Sequence, residues 1–280
     1  MKISPIIEVD EFLKIGENPN VLIFDVSNGK DTKANFEKEH LKGALFVDLN
    51  SQLADIKGDL SGGRHPLPKI EQFAETLTNL GVNENSHILL YDDKSGSNAA
   101  ARFWWMLRSA GHQKVQVLNG GFKEAKEHGF PVSSGVEVAV KSSKPYLITE
   151  WNLPMVEIDN VERVSQDPDY LVVDVRDRER YDGITEPIDL IAGHIPGAIN
   201  IPFMENLDAN GLFLKPGMLR EKYQARFGGI SDENIIVHCG SGVTACHTLL
   251  ALDYAGIRIP KLYVGSWSEW SRSGKKIEIT

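Results

Sequence analysis

The feature that most constrains this chain is an internal duplication, in which the same series of motifs occurs twice in the same order. The segment VLIFDVS around Asp25 returns as LVVDVR around Asp174, and HLKGALFVDL from His40 returns as HIPGAINIPF from His194. Later segments also agree: ILLYDDKSGSNAARFWWMLRSAG matches IIVHCGSGVTACHTLLALDYAG, and VLNGGF matches LYVGSW. The offset is about 150 residues, whereas solenoid repeats run about 20 to 50, so we expect two similar domains.

Short apolar runs alternate with helical stretches in both halves, a pattern typical of buried parallel strands joined by crossovers. The sequence therefore predicts an α/β protein with two tandem domains, each a mainly parallel sheet flanked by helices. We expect the first domain at 1–130 and the second at 155–280. Between them, 131–154 is polar and interrupted by SSG, KSSKP and NLP, which is typical of a linker.

Composition excludes several classes of protein. A hydrophobic fraction of 41% is enough for ordinary cores, and a net charge of -9 without any basic run argues against nucleic acid or an anionic membrane as the main partner. No eighteen apolar residues run together, and the N-terminus carries acidic residues and Pro5 where a signal peptide needs an apolar core. We expect a cytoplasmic location. With only two cysteines, neither a disulfide framework nor a CxxC pair is available.

The clearest chemical signal is IIVHCGSGVTACH, an apolar strand followed by a tight loop and a helix. Cys239 stands where the strand ends, and Gly240 and Gly242 allow the backbone to turn its N–H groups towards the sulfur. Such a cradle favours the nucleophilic thiolate. The other members of the predicted active-site loop are Ser241, Val243 and Thr244. Cys246, on the apolar face of the helix, is predicted to be a core residue.

Other uses of such a loop fit poorly. A cysteine phosphatase or arsenate reductase would close the loop with an arginine that grips the oxyanion, and Ala245 occupies that position. The segment GSGVT lacks the Gly-Lys pair of a phosphate-binding loop, and Ser241 is not in a GxSxG elbow.

Together with LVVDVR, GHIPGAINIPF and YVGSWSEW, the loop CGSGVTA makes the chain resemble the two-domain rhodanese-like sulfurtransferases over nearly its whole length. The loop itself resembles that of the 3-mercaptopyruvate sulfurtransferases. In thiosulfate-using relatives the two residues after the cysteine are typically cationic, whereas here they are Gly240 and Ser241. The resemblance implies that the first domain is catalytically inactive, because Asp92 stands at the position of Cys239.

The resemblance also implies substrate-binding residues. Arg176 matches the family's substrate-binding arginine, at the end of a strand that leads to the same crevice as the cysteine loop, and Arg180 is a second candidate. Arg64 and His65 lie in GGRHPLP, which resembles a loop that leans over the active site in the mercaptopyruvate enzymes. Asp48 is a possible relay to His65 or Ser241, although a structural role is the favoured interpretation.

Several conspicuous side chains are predicted to be structural. His40 and His194 occupy the same place in both repeats, so we expect each to pin the turn before the following strand. His238 points away from the site if the strand persists, and is expected to be packed. Trp267 is a candidate wall of the pocket, and the tryptophans as a group are expected to be buried; they include Trp104, Trp105 and Trp270.

The implied reaction is a two-step sulfur transfer without a metal or organic cofactor. The Cys239 thiolate attacks the sulfur of 3-mercaptopyruvate, pyruvate leaves as its enolate, and Ser241 helps to deliver the proton. The resulting persulfide passes sulfur to thioredoxin, another thiol or cyanide. Two alternatives stay open, a thiosulfate:cyanide sulfurtransferase and a non-enzymatic persulfide carrier.

Overall fold

The computed structural model describes residues 3–16, 18, 20–59, 61–97 and 99–280. The chain forms two compact units. The first comprises Met1–Ala54, Pro68–Asn152 and Ala209–Phe213, and the second comprises Asp55–Leu67, Leu153–Asp208 and Leu214–Thr280. Each unit therefore contains a short segment from the other half of the sequence, and the one that matters for the site is 55–67.

The first unit is built on a five-stranded parallel sheet with the order β1-β6-β5-β2-β4. Its strands are β1 (Ile6–Ile7), β2 (Val21–Asp25), β3 (His40–Leu41), β4 (Ala44–Phe46), β5 (His87–Tyr91), β6 (Val115–Leu118) and β7 (Val132–Ser133), of which β3 and β7 form a separate antiparallel pair. Its helices are α1 (Val9–Ile15), α2 (Thr32–Lys38), α3 (Leu49–Gln52), α4 (Ile70–Asn79), α5 (Ala100–Ser109) and α6 (Gly121–Glu127).

The second unit repeats this plan, with the parallel order β8-β12-β11-β9-β10. Its strands are β8 (Met155–Val156), β9 (Leu171–Asp174), β10 (Ile199–Asn200), β11 (Ile235–His238) and β12 (Lys261–Tyr263). Its helices are α7 (Ile158–Val164), α8 (Arg178–Tyr181), α9 (Pro216–Phe227), α10 (Thr244–Tyr254) and α11 (Ser266–Trp270), with 3-10 turns at Phe203–Asn206 and Asp232–Asn234. The equal strand order confirms the predicted duplication and the α/β class.

The central strands are buried on both faces, which is why they are apolar throughout instead of alternating. In β5 and β11, the residues Ile88–Leu90 and Ile235–Val237 are at most 1% exposed. Helix α10 has no solvent-facing stripe over its first ten residues beyond the partly exposed Thr244. A strand and helix that are both enclosed hold the loop between them in a fixed geometry.

The two equivalent histidines have the predicted structural role. His40 Nδ1 lies 2.7 Å from the Phe36 carbonyl oxygen and stacks on the Phe36 ring, with 4.0 Å between centroids. His194 Nδ1 lies 2.8 Å from the Tyr181 carbonyl oxygen and stacks on the Tyr181 ring at 3.9 Å. The same contact in both units shows that these histidines fix the chain before the following strand.

The segment predicted as a linker differs from that expectation, because most of it packs on the first unit. The N–H groups of Gly135, Ser142 and Asn152 donate to carbonyl oxygens of Glu37, Thr78 and Ser109 at 2.7 to 2.9 Å. Beyond β7, this segment has no regular secondary structure within the described residues, and it satisfies its backbone groups in this way. The boundary along the chain therefore falls after Asn152.

Among the described residues, none of the helices combines the length and the apolar character that crossing a membrane requires.

Candidate active site

Cys239 directly follows β11, at the carboxyl end of the parallel sheet, and α10 begins five residues later. Cys239 is buried, with only 1% of the residue exposed. Gly242 has a φ of +71°, and a Cβ at this position would lie 2.5 Å from the Val264 carbonyl oxygen. The tight turn thus requires glycine on two counts, its left-handed backbone and its close approach to a neighbouring strand end.

The loop presents backbone N–H groups that the protein itself does not use. Those of Gly240, Ser241 and Val243 donate to no acceptor within the described part of the chain. Nor does any described donor make a hydrogen bond to the Cys239 sulfur. A buried N–H group without an acceptor is costly, so this loop is suited to an anionic ligand or sulfur adduct.

The backbone of Cys239 is held by the segment that follows β12. The Trp267 N–H donates to the Cys239 carbonyl oxygen at 3.0 Å, and the Ser268 N–H donates to that of Gly240 at 2.8 Å. The Cys239 N–H in turn donates to the Ser266 hydroxyl oxygen at 3.2 Å. The peptide groups on both sides of Cys239 are therefore fixed.

Ser241 and His65, each a candidate site residue from the sequence, lie next to each other. The Ser241 Oγ lies 2.8 Å from His65 Nδ1, and Ser241 is buried while His65 is partly exposed. Because the serine stands two residues after Cys239, the pair supplies a hydroxyl and an imidazole beside the nucleophile. Such a pair can donate a hydrogen bond or relay a proton.

Two arginines flank the same loop. A Cβ built on Gly240 would lie 3.2 Å from Arg64 Nη2 and 3.6 Å from Arg180 Nη2. The buried carboxylate of Asp189 accepts hydrogen bonds from both, from Arg64 Nη1 and, at 3.1 Å, from Arg180 Nη2. Burial raises the pKa of Asp189, and the charge of Arg64 opposes that rise. The side chain of Asp189 thus holds two arginines, through ion pairs, beside the cysteine loop.

Arg64 also has its backbone fixed. Its N–H donates to the Ser268 hydroxyl at 2.9 Å. The preceding Gly63 has a φ of +86°, and a Cβ at this position would clash with the Gly265 carbonyl oxygen, at a distance of 2.4 Å. The segment after β12 therefore holds both the nucleophile and the loop that carries Arg64.

Arg176, predicted to bind substrate, lies among buried groups of the protein itself. Its side chain is 1% exposed. Its Nε and Nη2 donate to Asp174 at 2.6 to 3.1 Å, Nη2 also donates to the Gly193 carbonyl oxygen at 2.6 Å, and Nη1 donates to Glu186 at 3.2 Å. The guanidinium lies 4.5 Å from the Trp267 ring centroid. The hydrogen-bonding capacity of Arg176 is therefore nearly used up inside the protein, whereas Arg180, the second candidate, has its Nη1 without a partner among the described residues.

The charge of Arg176 is matched by Asp174. Burial alone would raise the pKa of Asp174, but the charge of Arg176 and its hydrogen bonds hold that pKa below its usual value. His238 is fully buried, as predicted, with Nδ1 3.2 Å from the Cys239 carbonyl oxygen and Nε2 3.8 Å from Asp174. Burial lowers the pKa of His238, so it is a packed neutral residue.

Asp48 is not brought into a relay. It caps the amino end of α3, where its Oδ1 accepts hydrogen bonds from the N–H and hydroxyl of Ser51, both at 2.8 Å. This agrees with the structural interpretation and not with the possible relay. Cys246 is fully buried, with its Sγ 3.3 Å from the Gly242 carbonyl oxygen, as expected for a core residue. The four tryptophans named above are likewise buried.

Asp92 shows what stands at the corresponding place in the first unit. It follows β5, is fully buried, and its Oδ1 accepts hydrogen bonds from the N–H groups of Lys94 and Gly96 at 2.9 and 2.8 Å. Burial raises its pKa to about 6, although these backbone hydrogen bonds oppose the rise. In the copy that has no cysteine, the backbone N–H groups of the loop thus donate hydrogen bonds to a carboxylate.

Four further residues of the site were not found by sequence reasoning. Glu186 and Asp189 anchor the arginines, and Ser266 and Ser268 hold the nucleophile and the Arg64 loop. The acidic pair stands in TEPID, which begins four residues after the end of the Arg178–Tyr181 helix, and the serines stand in GSWSEW. Spacing alone does not show which carboxylate faces which arginine. No cluster of potential metal ligands occurs among the residues that the structure describes.

Comparison with known proteins agrees with this geometry. The family model for the rhodanese-like domain matches twice, at residues 8–128 and 157–273. A probable 3-mercaptopyruvate sulfurtransferase from Pseudomonas aeruginosa is 37% identical over 237 residues, which cover 84% of this chain and 82% of the relative. Thiosulfate sulfurtransferase from Mus musculus is 33% identical, with 91% of this chain and 86% of the relative covered.

The crystal structure of SseA from Escherichia coli, titled as a 3-mercaptopyruvate sulfotransferase, superposes with a TM-score of 0.78 at 29% identity and covers 95% of this chain and all of that one. The 3-mercaptopyruvate sulfurtransferase from Leishmania major superposes with a TM-score of 0.80 at 26% identity, covering 96% and 74%. The duplicated sheet, the cysteine loop and both family matches lead to one conclusion: the chain belongs to the rhodanese-like family, as a tandem of two such domains.

Proposed function

We propose that the protein is a sulfurtransferase that takes sulfur from 3-mercaptopyruvate onto Cys239 and releases pyruvate. The observation that carries the proposal is the convergence of three features at the end of β11. They are the Cys239 loop with its unused N–H groups, the Ser241–His65 pair and the arginines beside Gly240. Relatives named for this donor match most of the chain.

The arginines suit the carboxylate of the donor. Arg64 uses Nη1 for Asp189, and its Nε and Nη2 make no hydrogen bond to any described group. Arg180 uses Nε and Nη2 for Glu186 and Asp189 and likewise leaves Nη1 available. Two fixed guanidinium groups with spare donors can hold a carboxylate and the neighbouring keto oxygen in place. Since both are tied to Asp189, little side-chain entropy is lost on binding.

The chemistry then proceeds by nucleophilic attack. The Cys239 thiolate forms an S–S bond with the thiol sulfur of the donor, and the C–S bond of the donor breaks, leaving its electron pair on carbon as the enolate of pyruvate. A proton delivered through Ser241 and His65 converts the enolate into pyruvate. Cys239 is left as a persulfide, whose anion the loop N–H groups stabilise.

In the second step, a thiol or cyanide attacks the outer sulfur of the persulfide and the Cys239 thiolate is regenerated. No metal or organic cofactor takes part in either step. The donor supplies both the sulfur and the electron sink, because its keto group accepts the electron pair as an enolate. Thioredoxin, another thiol and cyanide are the acceptors to compare.

Intact mass spectrometry tests the first step. Incubation with 3-mercaptopyruvate should add one sulfur atom to the peptide that contains Cys239 and release pyruvate continuously when a thiol is present. Cys239→Ser should abolish both, whereas Cys246→Ser, a matched change of the other buried cysteine, should retain both. An unchanged mass of the wild-type protein with every donor would refute the proposal.

Turnover with two donors separates the proposal from its alternatives. A strong preference for thiosulfate over 3-mercaptopyruvate would assign the protein to the thiosulfate:cyanide enzymes instead. Persulfide formation without repeated release of pyruvate, in the presence of excess thiol and cyanide, would indicate a carrier that waits for a specific protein acceptor.

A further inference from the structure

Ser266 has an unusual backbone conformation. Its φ is +53°, in the left-handed region that favours glycine, and within the described ranges only Asp31 and Ser95 share this among the other non-glycine residues. Ser266 is also fully buried. A buried side chain in this conformation costs free energy, so some other interaction must favour serine at this position.

The hydroxyl of Ser266 makes two hydrogen bonds. It donates to the Tyr263 carbonyl oxygen at 2.8 Å and accepts from the Cys239 N–H at 3.2 Å. The next residue, Trp267, donates its N–H to the Cys239 carbonyl oxygen at 3.0 Å. One short segment thus binds both the N–H and the carbonyl group of Cys239. These two hydrogen bonds fix the direction in which the Cα–Cβ bond of Cys239 points.

The inactive copy provides an internal comparison. The match of VLNGGF with LYVGSW places Gly121 at the position of Ser266, and Phe122 donates its N–H to the Asp92 carbonyl oxygen at 3.1 Å as Trp267 does to that of Cys239. Gly121 has a φ of +63°, nearly that of Ser266. The same backbone turn is therefore made with an unstrained glycine where no nucleophile is present.

We propose that Ser266 is a positioning residue for the sulfur transfer, retained despite its strained backbone because its hydroxyl holds the N–H of Cys239. The inference rests on the proposed function for the reaction that Ser266 affects, the sulfur transfer, but not for the positioning of Cys239 itself. Ser266 takes no part in bond making or proton transfer. It fixes the orientation of the Cys239 side chain relative to the Ser241–His65 pair and the bound donor.

Two substitutions separate the hydroxyl from the backbone strain. Ser266→Gly removes the hydroxyl and relaxes the turn, whereas Ser266→Ala removes the hydroxyl and keeps the strain. We expect both to lower kcat about five- to tenfold, the worth of one hydrogen bond, with KM changed less than twofold. Their stabilities should differ, with the glycine variant unfolding at the higher urea concentration.

If Ser266 serves only the fold, kcat should follow stability, and a Ser266→Gly protein with wild-type kcat would overturn the proposal. Ser271→Ala is the control, because Ser271 is a buried serine of the same segment whose hydroxyl has no hydrogen-bond partner among the residues that the structure describes. It should keep the wild-type kcat.

A second measurement does not depend on the sulfur donor. In a Cys246→Ser background, the rate of Cys239 alkylation by iodoacetamide should fall several-fold in both Ser266 variants and stay unchanged in Ser271→Ala. Equal alkylation rates in all four proteins would overturn the positioning role. If wild-type protein accepts no sulfur from any donor but the alkylation rates differ as expected, the proposed function fails and the positioning role stands.

Discussion

Arg176 shows how the setting of a single residue decides its role. Sequence reasoning placed it correctly at the carboxyl end of a strand in the sheet that carries the cysteine loop, the usual position for a substrate-binding arginine in such a fold. The structure pairs it with Asp174, Glu186 and the Gly193 carbonyl oxygen, all within hydrogen-bonding distance. A guanidinium enclosed in this way contributes to the site by fixing the positions of the groups that it contacts.

Replacing Arg176 by methionine should therefore destabilise the protein strongly. The change leaves the buried carboxylate of Asp174 without its arginine, which costs about 3 to 5 kcal/mol at neutral pH. Urea denaturation measures the loss, and Arg178→Met, at an exposed arginine of α8, should change the free energy of unfolding by less than about 0.5 kcal/mol.

The cost of this substitution should also depend on pH. In the wild-type protein the pKa of Asp174 is lower in the folded state than in the unfolded chain, which stabilises the fold at pH values above the unfolded pKa. This stabilisation is lost as the pH falls through the folded pKa. In Arg176→Met the carboxyl can take up a proton, so the difference between the two proteins should shrink towards pH 4. A large rise in KM with unchanged stability would instead support a substrate-binding role.

Asp92 should make stability depend on pH in the opposite sense. Its pKa is about 6 in the folded protein and 3.8 in the unfolded chain, so the folded state holds the proton more tightly. Stability contributed by the protonated form is therefore lost as the pH rises from about 4 to about 6, by about 3 kcal/mol. Asp92→Asn should lack this loss while keeping an oxygen acceptor for the Lys94 and Gly96 N–H groups.

Denaturant titrations at pH 4 and pH 7 measure the Asp92 effect. The free energy of unfolding of the wild-type protein, relative to Asp92→Asn, should fall over this range. Titration of the other carboxyl groups is common to both proteins and cancels in the difference. Parallel pH profiles for the two proteins would show that burial does not control the titration of Asp92.

At the scale of elements, the loop that carries Arg64 depends on the segment after β12. Ser268→Ala removes the acceptor of the Arg64 N–H and frees the loop on one side. We expect KM for the donor to rise about fivefold, because one hydrogen bond is worth about 1 kcal/mol, with kcat changed less than twofold. Steady-state kinetics checks this; a fall in kcat at unchanged KM would place the effect on the nucleophile instead.

The elements were predictable where a periodic or apolar pattern decides them. The strand, loop and helix around Cys239 and the burial of Cys246 agree with expectation, whereas the pairing of Ser241 with His65 was not predicted. The ion pairs were not, because Glu186 and Asp189 lie in an irregular segment whose side-chain directions no periodicity fixes. The segment 131–152 was assigned to a linker for its composition, which does not show that carbonyl groups such as that of Thr78 accept its N–H groups.

For the whole molecule, duplication has kept the strand order of both sheets while changing the residues at their carboxyl ends. The first unit places the carboxylate of Asp92 where the second has the thiol of Cys239. The second unit also includes 55–67 from the first half of the sequence, with Arg64 and His65. Its candidate site is therefore assembled from two distant stretches of the chain, which is why the second repeat alone does not contain the whole constellation.

The contribution of this segment can be measured in the full chain. Arg64→Ala removes a cation beside Gly240 and should raise KM for 3-mercaptopyruvate about tenfold or more, since hydrogen bonds to charged groups are worth about 1.5 to 3 kcal/mol. His65→Ala breaks the bond to Ser241 and should mainly lower kcat, by about 100-fold or more, because general acid–base assistance is lost.

Lys57→Ala, at an exposed position of the same segment, is the matched control for both and should have wild-type kinetics. The split between KM and kcat is the decisive result. If both active-site substitutions lowered kcat and left KM unchanged, Arg64 would act on the reacting atoms and Arg180 alone would be left to hold the carboxylate. If neither had an effect, the segment 55–67 would serve only the fold, because its contacts with Ser241 and Asp189 would then contribute nothing to turnover.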